Sequence, residues 1–98
     1  MHDYIFLMHN DADEVADSDA VWEKYLAKLR STGQFEGGSA IGSGECVAKS
    51  RPPAGVTSHL SGYLRLQAET LEAAKKLLEG NPVFEAGGTV EIRELPRG

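Results

Sequence analysis

Residues 4–9, YIFLMH, form a short apolar run rich in aromatic and β-branched side chains, which predicts a strand buried on both faces. The stretch that follows, NDADEVADSDA, is acidic and has no period, so it predicts a loop. Asp17, Ser18 and Asp19 at its end can each cap a helix, and the carboxylates suit a helix N-terminus. From there Trp22, Tyr25, Leu26 and Leu29 recur three and four apart, which predicts an amphipathic helix to about Ser31, stopped by Gly33. GGSAIGSG, residues 37–44, reads as a glycine-rich connector. ECVAKS, residues 45–50, alternates weakly and reads as a second strand, followed by a turn at RPPAG. Residues 58–68 alternate cleanly, with Leu60, Leu64 and Leu66 on one face and His59, Ser61, Tyr63 and Arg65 on the other. Thr70 caps a second helix over Leu71–Glu79, with Leu71, Ala74, Leu77 and Leu78 as its buried stripe. Asn81-Pro82 ends that helix. PVFEA then reads as a turn of helix that plugs the core with Val83 and Phe84. Gly87-Gly88 lets the chain reverse into a last strand, Thr89–Leu95, whose Val90 and Ile92 face the helices.

The order is β-α-β-β-α-β. Two βαβ crossovers joined by a hairpin predict an α+β fold, a ferredoxin-like sandwich. Length sets the scale: 98 residues make a single domain, spanning 1–98, with one modest core. Such a chain gains by burying more apolar surface in a homodimer. The second faces of strands 58–68 and 89–95, with Tyr63 and Leu95 among polar groups, would otherwise be wet. The net charge of −5 argues against nucleic acid and against an anionic membrane surface as partners. The apolar run at Tyr4–Met8 is too short for a signal peptide or a membrane span. The single cysteine allows no internal disulfide, so a reducing, cytoplasmic location is expected.

Candidate chemistry gathers at HNDADE. His9 and Asp11 share a face if the first strand extends that far, and a carboxylate can orient an imidazole as a general base. A metal set of His9, Asp11, Asp13 and Glu14 is weaker, since one loop rarely supplies a coordination sphere, and the favoured reading is no metal. A second group, His59, Tyr63 and Arg65, lies opposite the leucines, with Glu91 and Arg93 added by the last strand; it reads as a ligand cleft or as a polar dimer interface. Trp22 packs in the core or lines the pocket. GSGECVAKS fails as a phosphate loop, because Lys49 does not open a helix, and no cofactor is expected. Cys46 reads as a half-buried structural thiol. The functional expectation is a protein that binds a small organic or anionic molecule between sheet and helices. Lyase- or hydrolase-like chemistry would use His9 as base, Asp11 as its orienter and Arg65 as an anchor for an anionic group. The alternative is a non-catalytic structural or regulatory homodimer.

Four stretches, YIFLMHNDADE, LRSTGQFEGGSAI, SGYLRLQAETLEAAKKL and above all NPVFEAGGTVEIREL, resemble the YCII-related (YciI-like, DGPF-containing) family. The likeness spans nearly the whole chain, with a gap around residues 48–58. It implies a dimeric α+β barrel, two such sheets packed face to face. The loop that gives the family's DGPF branch its name is replaced here by SRPPAGVTSH. Trp22 stands where another branch carries a histidine on its first helix, so that branch's His/Asp dyad has no counterpart.

Overall fold

The computed structural model describes residues 1–12 and 19–97. Four strands and three helices follow one another as β1 (His2–His9), α1 (Asp19–Ser31), β2 (Phe35–Ala40), β3 (Leu60–Ala68), α2 (Leu71–Lys76), α3 (Pro82–Glu85) and β4 (Val90–Leu95). The strands form one sheet in the order β2-β3-β1-β4, and every neighbouring pair is antiparallel. This is an α+β architecture consistent with a ferredoxin-like fold.

The helices cover one face of the sheet. Tyr4, Phe6 and Met8 of β1 meet Leu64, Leu66 and Ala68 of β3 there, under Tyr25 and Leu29 of α1 and Ala74 of α2. Ile5 and Leu7 point to the other face and stay partly exposed, so β1 is not buried on both faces as its composition suggests. The reason is the single helix layer: a run of apolar residues reads as fully buried only if both faces are covered.

Local chemistry explains most of the boundaries. Thr70 caps α2 by accepting a hydrogen bond from the Ala73 amide at 3.0 Å. Asn81 does the same for α3, its Oδ1 accepting from the Val83 and Phe84 amides at 3.0 and 3.1 Å. The Tyr25 hydroxyl donates to the Leu77 carbonyl at 2.7 Å and ties α1 to the end of α2. Burial pushes that phenol up to about 12. Asp17 and Ser18, two of the candidate caps for α1, lie outside the described residues; Asp19 is its first residue.

The second strand is not where the alternation placed it. ECVAKS has no strand partner, and Val47 is 84% exposed. The ladder instead takes up FEGGSA, the stretch read as connector. Glycine makes this possible. Gly37 has φ +119 at a break in register, and a Cβ on Gly38 would overlap the Tyr63 carbonyl and come 2.7 Å from Leu64 Cδ2. β2 can therefore press against β3 only because it lacks side chains there. The chain between β2 and β3, residues 41–59, is irregular and largely exposed. Cys46 within it is exposed, not half-buried.

Two apolar positions also differ. Val83 is buried in the end of the core, but Phe84 is 46% exposed, and Leu71 lies outside the α2 stripe. One turn of helix can turn only one of two successive residues inward, and Val83 is the one that Gly88 admits: a Cβ on Gly88 would lie 2.7 Å from Val83 Cγ1. No helix among the described residues is long and apolar enough to cross a membrane.

Candidate functional site

β1 ends at His9, where the register with β3 shifts and the His9 amide donates to the Thr89 carbonyl at 2.9 Å. Its imidazole Nε2 lies 3.1 Å from Oε1 of Glu91. Glu91 is opposite Leu7 in the ladder, so this pair belongs to the sheet face that the helices leave open. The other Glu91 oxygen accepts from the Arg93 guanidinium at 3.0 Å. Arg93 first, and His9 second, hold the Glu91 carboxyl below the usual carboxylate range. His59 sets its ring edge-on to His9, with centroids 4.8 Å apart. Residues 58 and 59 are held in place by Asn10, whose amide donates to the His59 carbonyl at 2.8 Å and whose side chain donates to Ser58.

A carboxylate only accepts hydrogen bonds. Bonded to Glu91, His9 therefore carries its hydrogen on Nε2, and in the neutral ring Nδ1 keeps the lone pair. That is the arrangement a general base requires. The orienting carboxylate differs from the one expected. Both oxygens of Asp11 are taken by Thr89, Oδ1 by its amide at 2.8 Å and Oδ2 by its hydroxyl at 2.7 Å. The hydroxyl and then the amide depress the Asp11 carboxyl, against a smaller opposing effect of burial. Asp11 thus pins the entry to β4 instead of orienting His9. Asp13 and Glu14, the other acids of the metal reading, lie outside the described residues.

A cavity of about 730 Å³ opens between α1, β2 and β3, next to the end of β1. Met8, Trp22, Leu26, Phe35, Leu64 and Val83 form its apolar wall, and His9, Asn10, Arg30, Ser39, Ser61 and Tyr63 are the polar residues on its border. Trp22 borders the cavity; Tyr63 also reaches its border from β3, but it stands opposite Leu7 in the ladder and so belongs to the open sheet face. His59 is not on its border, although it touches His9. Arg65 stands apart: its guanidinium donates to the Glu36 carbonyl at 3.3 Å, in a separate shallow depression with Asp3, Gln67 and Arg97. The cationic residue at the cavity is Arg30, whose guanidinium lies 5.8 Å from the centre of the Phe35 ring. Arg30 and Phe35 escaped the sequence reading. Arg30 lies outside the apolar stripe of the first helix, at its C-terminal end, where a basic residue suits the helix dipole, and Phe35 fell between two elements with no period to place it.

No protein-family model matches the chain, and no curated protein matches it in sequence. Among solved structures, the chain is similar to a 5-chloro-2-hydroxyhydroquinone dehydrochlorinase from Burkholderia phenoliruptrix AC1100, in complex with 2,5-dihydroxybenzoquinone. The two share a fold at a TM-score of 0.61 and 16% identity, over 100% of this chain and 96% of the other. That dehydrochlorinase has the YCII-like fold, so the family resemblance in the sequence is supported at the level of the fold.

Proposed function

We propose that this chain is a YCII-like protein that binds a small organic molecule in the cleft between α1 and the sheet, and that it works as a homodimer. The cavity carries this reading. Its volume, about 730 Å³, is that of a small-molecule site, and its wall is mainly apolar and aromatic with a few polar groups at the border. The structural neighbour, a dehydrochlorinase that shares this fold, is in complex with a small ring compound, 2,5-dihydroxybenzoquinone. The chain has a single tryptophan, so its indole N–H gives one resonance, at the cavity. In an NMR titration with small carboxylates, phenols and quinones, that resonance should move saturably with at least one compound. If Trp22 stays still throughout while the protein is folded, the chain is a structural or regulatory dimer without small-molecule chemistry.

One observation favours a catalytic version, lyase- or hydrolase-like. Glu91 fixes the His9 tautomer from the open sheet face and leaves Nδ1 as a proton acceptor at the end of β1, where His9 also borders the cavity. Removing a proton together with chloride, as a dehydrochlorinase does, is a reaction such a base serves. Imidazole ¹⁵N shifts should show neutral His9 protonated on Nε2. Glu91→Ala should shift the balance towards the Nδ1–H form. A wild-type ring protonated on Nδ1 would remove the base.

A further inference from the structure

We infer that the molecule bound in this cleft is an aromatic anion, a one- or two-ring carboxylate whose charge sits at Arg30 and whose rings lie among Trp22 and Phe35. The inference rests on the cleft reading above and adds the chemical class of its ligand.

Charge distribution makes the argument. The protein is acidic, with 15 Asp and Glu against 10 Lys and Arg. Yet none of the described Asp or Glu residues borders the cavity, whereas one arginine does. Arg30 differs from the arginines of the sheet and of the C-terminal segment. Arg93 bonds Glu91, Arg97 makes two bonds to Asp3, and Arg65 bonds a carbonyl. Arg30 makes no side-chain hydrogen bond or ion pair with any described residue, and its guanidinium carbon lies within cation–π reach of Phe35, 5.8 Å from the ring centre. A guanidinium without a hydrogen-bond or ion-pair partner keeps its N–H fork available for a planar carboxylate.

The walls select the rest of the ligand. Trp22 and Phe35 are each only partly buried and both border the cavity, beside Gly37 and Gly38 of β2. Aromatic side chains beside two glycines suit a planar ring system better than a branched aliphatic one. The volume exceeds what one ring fills, which is why a fused second ring is included.

The test compares 2-naphthoate with its neutral isostere 2-naphthamide, by calorimetry and by the Trp22 indole resonance. The acid should bind roughly tenfold or more tightly than the amide, the effect of one charge-assisted bidentate contact. Arg30→Gln should bring the acid down to the amide's affinity and leave the amide unchanged. Lys28→Gln removes the same charge from the same helix away from the cavity, and it should leave the ratio intact. Arg30 is exposed, so its replacement should leave far-UV circular dichroism unaltered. Equal binding of acid and amide, or a ratio that survives Arg30→Gln, overturns the anionic ligand while the cleft stands. An equal loss in Lys28→Gln overturns the assignment to Arg30. If neither compound moves Trp22, an aromatic ligand is excluded; if no compound of any class does, the cleft reading falls with it.

Discussion

At the scale of single residues, the carboxylates do separate jobs that their positions in the chain conceal. Asp11 holds Thr89, Glu91 holds His9, and Asp3 holds Arg97 at 2.6 and 3.0 Å. The Arg97 bond first, and the Gln67 bond second, bring the Asp3 carboxyl down from 3.8 to about 2. The sign follows from linkage. A depressed carboxyl stabilises the fold above its unfolded value, and that contribution is lost as pH falls from about 3.8 towards 2. Asp3→Asn should therefore flatten the dependence of the urea midpoint on pH across this window. Other acids keep some slope, but a slope identical to wild type would mean that the Asp3–Arg97 contact does not persist in solution. Asp3 is a surface group screened by solvent, so the change should be modest.

At the scale of elements, β2 is the informative case. FEGGSA has no clean alternation and, after Phe35, no strand-forming side chain, and its glycines argue locally for a loop. It is a strand because its neighbour β3 accepts it, and because Gly38 lets the two backbones approach. Gly38→Ala should cost about 1–3 kcal/mol, since the new methyl meets a carbonyl and a buried leucine that cannot both retreat. Gly42→Ala has open space and should change stability by about 0.5 kcal/mol or less. The pair of urea midpoints separates a packed strand from a loop: equal values for the two variants would return residues 37–40 to the connector. The same comparison shows why the strand expected at 45–50 is missing. Residues 35–40 take the edge of β3 beside which residues 45–50 would have lain.

At the scale of the whole molecule, the shape is a slab, with extents of 46 × 37 × 18 Å and a radius of gyration of 14.8 Å. A compact chain of this length has a radius of about 13 Å. One layer of helices explains the thinness. It leaves the opposite sheet face bare, with Ile5 and Leu7 at its centre and Tyr63, Arg65, Glu91 and Arg93 around them. An apolar centre with a polar rim is the anatomy of a protein interface. Size-exclusion chromatography with light scattering should give twice the chain mass, and Leu7→Glu should convert the species to monomer. A wild-type monomer at micromolar concentration would exclude the face-to-face pairing. The same face carries His9 and Glu91, so dimerisation would bring a second chain next to them.

The periodic parts of this protein were legible from sequence alone. The stripe of α1, the alternation of β3, the Thr70 cap and the Asn81-Pro82 break each depend on a few neighbouring residues, and local chemistry acts the same way in any fold. Together they were enough to order the elements. What only the tertiary structure decided was pairing across distance. Glu91 and not Asp11 meets His9, because antiparallel β4 brings residue 91 to the face of residue 9 while Thr89 intercepts Asp11. Arg30 and not Arg65 reaches the cavity, because the helices cover the face away from Arg65. Glycines 37 and 38 belong to a strand because another backbone lies against them. Each of these outcomes depends on register and on which sheet face is covered, and no local pattern in a single chain records either.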